Sequence, residues 1–239
     1  MGGGIKDQNV SADAGLDNLK LALFRNGEKN GFFWKDDFIL AAGNNTWYGA
    51  GTPWTLATTG TGGTALGLAG HGGLAQLLTT GGGAGTIVLT GLPLVDLDKR
   101  PKFIILFRTP TTLAGVVSSQ IGIYKDANEY AVLDFDIASG AAFRFLHAAG
   151  GAGATVVSVV PIVAATWYAA VFTVGASVGT GSAKRFPVDC KLYGPSSPTP
   201  AAIGGGLITD DDTHVIRVFL SSAVAHNMDL DLAAIAANR

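Results

Sequence analysis

SSQIGIYKDANEYAVLDFDIASGAAFRFLH, residues 118 to 147, decides the fold. Ile121 and Ile123 share one face, and Lys125-Asp126-Ala127-Asn128 then turns the chain. Leu133 and Phe135 follow on one face with Glu129 and Ala131. Ala138-Ser139-Gly140 turns the chain again, and Phe143 and Phe145 resume the alternation. Apolar residues at period two, separated by Asp, Asn, Ser and Gly, predict three antiparallel strands of a half-buried sheet.

Working outward, the same script continues on both sides. Leu74 to Thr79 and Thr86 to Thr90 read as strands around a Gly81–Gly85 turn, and Phe103 to Arg108 is a near-continuous apolar strand suited to a sheet centre. Tyr168 to Val174, Phe186 to Tyr193, His214 to Ser221 and Met228 to Ile235 bring the set to about a dozen strands. Pro195, Pro198 and Pro200 bar the 194–200 segment from any inner strand. No helix-period segment alternates with the strands, which excludes a βαβ architecture. The expected fold is all-β, an antiparallel two-sheet jelly-roll sandwich over residues 32–239.

Residues 1–31 read differently, as an N-terminal arm that is extended or forms a short helix. Ser11 to Arg25 can place Leu16, Leu19, Leu23 and Phe24 along one helix side before Asn26-Gly27 stops it. These four are the expected arm contacts; the competing reading is a frayed leader.

Composition narrows function. Hydrophobic residues make up 48% of the 239 and charged ones 14%, against a usual charged share of roughly 25%. A lone globule so poor in charge has little to cover its surface with, so part of the apolar excess is expected between subunits. A net charge of -2 and the lack of a Lys/Arg cluster exclude a nucleic-acid partner. Cys190, the single cysteine, rules out an intrachain disulfide and reads as a small buried hydrophobe. The charge-free run from Ala148 to Ala183 is interrupted by Pro161 and is read as two buried strands rather than a membrane span.

Reaction chemistry is sparse. Glycoside hydrolysis needs two carboxylates facing one cleft, roughly 5 to 9.5 Å apart. Glu28 and Glu129 are the only glutamates. Asp134 and Asp136 share a strand face opposite to Glu129, so the three cannot converge, and they read as solvated strand charges. Gly175-Ala176-Ser177-Val178-Gly179 matches a nucleophile elbow but lacks the following helix that would strain the serine, so it reads as a hairpin loop. Gly60 to Gly70 has no Walker lysine and also reads as a loop. Asp210-Asp211-Asp212 is the densest acidic point, but adjacent carboxylates on an extended chain diverge. His71, His147, His214 and His226 lack metal spacing. No catalytic residue, metal or cofactor is therefore expected. Trp47, Tyr48 and Trp54 lie in a loop-like stretch where exposed rings could stack on sugars or pack against a neighbouring subunit.

Several patterns resemble the concanavalin A-like (laminin-G-like) jelly rolls of tailed-bacteriophage structural proteins. Phe32-Phe33-Trp34-Lys35-Asp36-Asp37-Phe38 is similar to their opening strand, and Ile121-Gly122-Ile123-Tyr124 with Asn128-Glu129-Tyr130 to their central hairpin. Thr166-Trp167-Tyr168 looks like the strand opening their second half. Met228 through Arg239 resembles their final strand, which closes beside the first. The resemblance implies a non-enzymatic virion protein, most specifically a capsid decoration (cement) protein. It would be a homotrimer contacting the major capsid protein or other virion proteins, with no membrane partner. The alternative it leaves open is a glycan-binding module of a tail fibre or receptor-binding structure.

Overall fold

The structure, a computed structural model, describes residues 31–36, 54–59, 66–67, 75–80, 83–89, 96–137, 140, 142–194, 201–209 and 214–238. Fifteen strands lie within them: β1 (Gly31–Asp36), β2 (Trp54–Thr59), β3 (Leu66–Gly67), β4 (Ala75–Thr80), β5 (Gly83–Leu89), β6 (Lys102–Arg108), β7 (Val116–Asp126), β8 (Glu129–Phe135), β9 (Ala142–Ala149), β10 (Ala152–Pro161), β11 (Trp167–Val174), β12 (Arg185–Tyr193), β13 (Ala201–Thr209), β14 (Val215–Ser222) and β15 (Ala225–Asn238). They form two sheets. Sheet A runs β13-β12-β11-β6-β15-β4-β3, with β1 also on β15, and sheet B runs β10-β9-β8-β7-β14-β5-β2. All pairings among the described residues are antiparallel, and the architecture is the expected jelly-roll sandwich.

The opening hairpins form as the alternation requires. β7, β8 and β9 are consecutive neighbours in sheet B, with Ile121 opposite Leu133 and Leu133 opposite Phe145. β6 sits inside sheet A between β11 and β15, which suits its unbroken apolar sequence. The first and last strands meet as the resemblance implied: Phe33 faces Ala236 across β1 and β15. The 148–183 run divides into β10, an edge strand ending at Pro161, and β11. Pro161 cannot donate to a ladder, so a sheet edge is where it fits.

Inward residues of both sheets make one core. Phe103 stacks on Phe172 at 4.5 Å, and Phe143 from sheet B meets Tyr168 at 5.0 Å and Phe107 at 6.3 Å, both edge to face. Each such ring contributes about 1.5–3 kcal/mol by leaving water. Cys190 is fully buried in this core, and that desolvation pushes its thiol far above the ordinary range, so it is inert packing as expected.

Two features go beyond the sequence reading. The two strands expected around the Gly81–Gly85 turn form as β4 and β5, with Gly83 to Gly85 already within β5, and they belong to different sheets. The segment 201–209, which carries no apolar alternation, is the edge strand β13. Its glycines allow it to lie against β9 and β10 and close one side of the sandwich. A Cβ at Gly204 would come within 2.8 Å of Phe145 Cβ, and one at Gly206 would overlap the His147 ring. The expected arm, with Leu16, Leu19, Leu23 and Phe24, lies outside the described residues. Among the described residues no helix is long and apolar enough to cross a membrane.

Candidate functional site

Trp47 and Tyr48 lie outside the described residues. Trp54 opens β2 opposite Leu89, so its backbone is a strand rather than a loop; its side chain is not among those described. Asp210, Asp211 and Asp212 are outside as well. No group of metal-ligating side chains occurs among the described residues. Ser177 sits between β11 and β12, where Val178 pairs with Arg185 and a single 3-10 turn follows at Gly181–Ala183, so no helix strains it into a nucleophile.

The histidines stay apart in role. His226 donates Nε2–H to the Ala114 carbonyl at 2.8 Å. His214 lies buried 3.9 Å from the Glu129 carboxylate. Glu129 faces inward, as its register required, and is a structural clasp. It accepts Gly150 N–H at 2.9 Å and also Thr209 N–H, and so ties the β9–β10 turn to the end of β13.

The chemistry gathers instead on the outer face of sheet B. Strand alternation turns Gln120 and Tyr124 of β7, Tyr130 and Asp134 of β8, Arg144 of β9, and Arg217 and Phe219 of β14 away from the core. Tyr130 stacks on Tyr124 at 6.4 Å and 19°. The Arg217 guanidinium lies 3.2 Å from the centre of the Tyr124 ring and 5.1 Å from that of Phe219, making a continuous ladder of rings and one cation over three strands. Gly122, opposite Arg217 in register, has no side chain to interrupt it. The Gln120 side-chain oxygen accepts from Arg217.

Beside the ladder, Asp134 contradicts the solvated-charge reading. It is 1% exposed and takes Arg144 Nε at 3.0 Å and Arg144 Nη2 on one oxygen, and Ser118 Oγ at 3.1 Å on the other. Asp136 reaches the same guanidinium at 3.5 Å. Desolvation raises the Asp134 pKa above its usual range, opposed by the arginine. Burial likewise draws Arg217 below the usual arginine range, opposed by Tyr124. Two cations thus lie on one half-buried floor, and only Arg144 has carboxylate partners among the described residues. Aromatic rings with a fixed cation and an amide can hold a flat, hydroxyl-rich molecule by stacking and hydrogen bonds. The signal for these residues was in the sequence: Gln120 and Tyr124 flank Ile121 and Ile123, Tyr130 and Asp134 alternate with Ala131, Leu133 and Phe135, and Arg217 and Phe219 alternate with Ile216, Val218 and Leu220.

No family model matches the sequence, and no curated protein matches it. Solved structures of the same architecture do. An alginate lyase from Aplysia kurodai superposes with a TM-score of 0.58 at 6% identity, over 85% of this chain and 98% of its own. A protein of unknown function from Shewanella oneidensis MR-1 gives 0.57 at 16% identity, over 98% and 95%. A xylan beta-1,4-xylosidase from Bacillus halodurans C-125 gives 0.54 at 9% identity, over 84% of this chain and 38% of the xylosidase. These likenesses establish the sandwich. They also overturn the expectation that the chain is not an enzyme, because the same sandwich occurs in a lyase and in a glycosidase. The lack of an E-x-D-x-x-E strand excludes one glucanase pattern and nothing more.

Proposed function

We propose that this chain is a carbohydrate-engaging jelly-roll subunit of a tailed-bacteriophage particle, with the outer face of sheet B as its glycan surface. The observation that carries the glycan reading is the Tyr130–Tyr124–Arg217–Phe219 ladder. A folding domain needs one apolar face per sheet, and an outward row of aromatic rings around a cation adds little to the core. The same row matches the flat faces and hydroxyl edges of sugars. Enzymes of this architecture are named for xylan and for alginate, which agrees with a polysaccharide ligand. The particle setting rests on the sequence resemblance quoted above, and with it a virion location. The test is a glycan array followed by titration calorimetry of any hit, repeated with Tyr124→Ala and Tyr130→Ala. Saturable binding weakened by both substitutions is expected. An array with no saturable hit would sink the reading.

A second reading, a capsid decoration protein that forms a homotrimer and stabilises the phage head by contacts with the major capsid protein, is favoured by a different observation. The centre of sheet A is apolar on both faces. Outside the core, Ile104, Leu106, Ala169 and Val171 form a further buried layer, and half-buried Trp167 and Tyr193 stand at its rim. Aromatic rims of this kind are common at subunit contacts. Analytical ultracentrifugation, with Trp167→Ala as the comparison, decides it: a trimer that the substitution weakens is expected, and a monomer at high concentration would remove it.

A further inference from the structure

The two arginines on the outer face of sheet B differ in their neighbours. Arg144 is held by Asp134 and Asp136. Arg217 is compressed between Tyr124 and Phe219, and its polar partners, the Gln120 amide and the Tyr124 hydroxyl, are both neutral groups. Its Nε–H is buried with no acceptor, and no ion pair among the described residues includes it. A partly desolvated cation without a counter-charge, and a buried N–H without an acceptor, are both costly and both rare in folded proteins. The cost is consistent with the depression of its pKa by burial. Packing alone does not account for it, since a leucine or methionine at position 217 would fill the space between two rings without stranding a charge.

We infer that Arg217 is the anchor for a carboxylate, and that the ligand of this face is an acidic sugar chain whose rings lie along Tyr124 and Tyr130. This rests on the glycan reading of the same face and narrows it to uronic-acid-type sugars. Arg217 is half-buried, so a ligand group can reach it from outside. A planar guanidinium grips a carboxylate through paired N–H donors, and the low-polarity walls formed by the two rings strengthen that contact. Gln120 holds the guanidinium over the face of the Tyr124 ring, ready for the anion. Arg144 cannot serve in its place, because two carboxylates already neutralise it.

The test compares tetragalacturonate, its fully methyl-esterified form and xylotetraose by calorimetry, on the intact chain and on Arg217→Gln and Arg217→Lys. The acid form is expected to bind about tenfold to a hundredfold more tightly than its ester, the range of one charge-assisted hydrogen bond. That preference should weaken as salt is raised. Arg217→Gln should abolish the preference while leaving the ester affinity in place, and Arg217→Lys should restore part of it. Equal binding of acid and ester by the unmodified chain would overturn the anchor and leave the glycan surface standing. Retained discrimination in Arg217→Gln would do the same. Binding of none of the three, together with a blank glycan array, would remove the surface itself. The acid–ester comparison needs no variant, so a substitution that fails to fold does not blunt it.

Discussion

The outer faces of the two sheets follow the same alternation and end in opposite chemistry. Outside sheet A stand Ile104, Leu106, Ala169 and Val171, all buried. Outside sheet B stand Tyr124, Tyr130, Gln120, Arg217 and an arginine locked to aspartates. Between them lies one shared aromatic core. The difference teaches where selection for stability stops. The centre of sheet A is apolar through its thickness, with charges such as Asp189 and Lys191 further out, whereas the centre of sheet B's outer face carries groups suited to charge and flat surfaces.

Four measurements break or sharpen that contrast. The largest effect is expected from Asp134→Ala. It is the polar residue of sheet B's outer face that behaves like core, and removing it strips half-buried Arg144 of its nearest carboxylate at a cost of about 3–5 kcal/mol in urea unfolding. A loss under about 1 kcal/mol would return Asp134 to the solvated class. Next, Leu106→Ala on sheet A should cost about 2–5 kcal/mol while leaving sugar affinity unchanged; a comparable drop in affinity would mean the two faces are not independent.

The third measurement is Tyr130→Ala, which should invert that pattern. Stability should fall by only about 0.5–1.5 kcal/mol for the lost ring pair, with sugar affinity falling about threefold to tenfold. The smallest effect concerns pH. Burial raises Asp134 in the folded state above its ordinary 3.8. Its stabilising contribution is then fully present below pH 3.8 and is lost as pH rises through the elevated value. The stability difference between the natural chain and Asp134→Asn should therefore shrink from pH 3.5 to 7. Growth of that difference with pH would mean the ion pair with Arg144 outweighs burial.

The sequence made the sandwich legible because the large inward residues Ile121, Ile123, Leu133, Phe135, Phe143 and Phe145 obey period two in β7, β8 and β9, and because β1 and β15 carry aromatic and alanine-rich patterns that identify the closing pair. β13 was not legible. Ile203-Gly204-Gly205-Gly206 has almost no side chains to alternate, and its strand character comes from a close approach to His147 and Phe145 that a one-dimensional reading does not contain. The site was half legible. Gln120, Tyr124, Tyr130 and Arg217 occupy outward positions by simple counting. Their assembly into one ladder depends on the β7–β14 register, set by partners almost a hundred positions apart. Asp134 was misjudged because an outward strand position is ordinarily wet; Arg144 opposite it in β9 makes it otherwise.

The placement of β6 governs how the polypeptide comes into being. This apolar strand is made long before β15, one of its two flanking strands in sheet A, because more than a hundred residues separate Arg108 from Ala225. Newly made molecules must therefore hold Phe103 to Phe107 out of harm's way until β15 has been made. Slow, late closure of sheet A makes nascent-chain aggregation, rather than unfolding of the finished protein, the hazard that sets its yield in the cell.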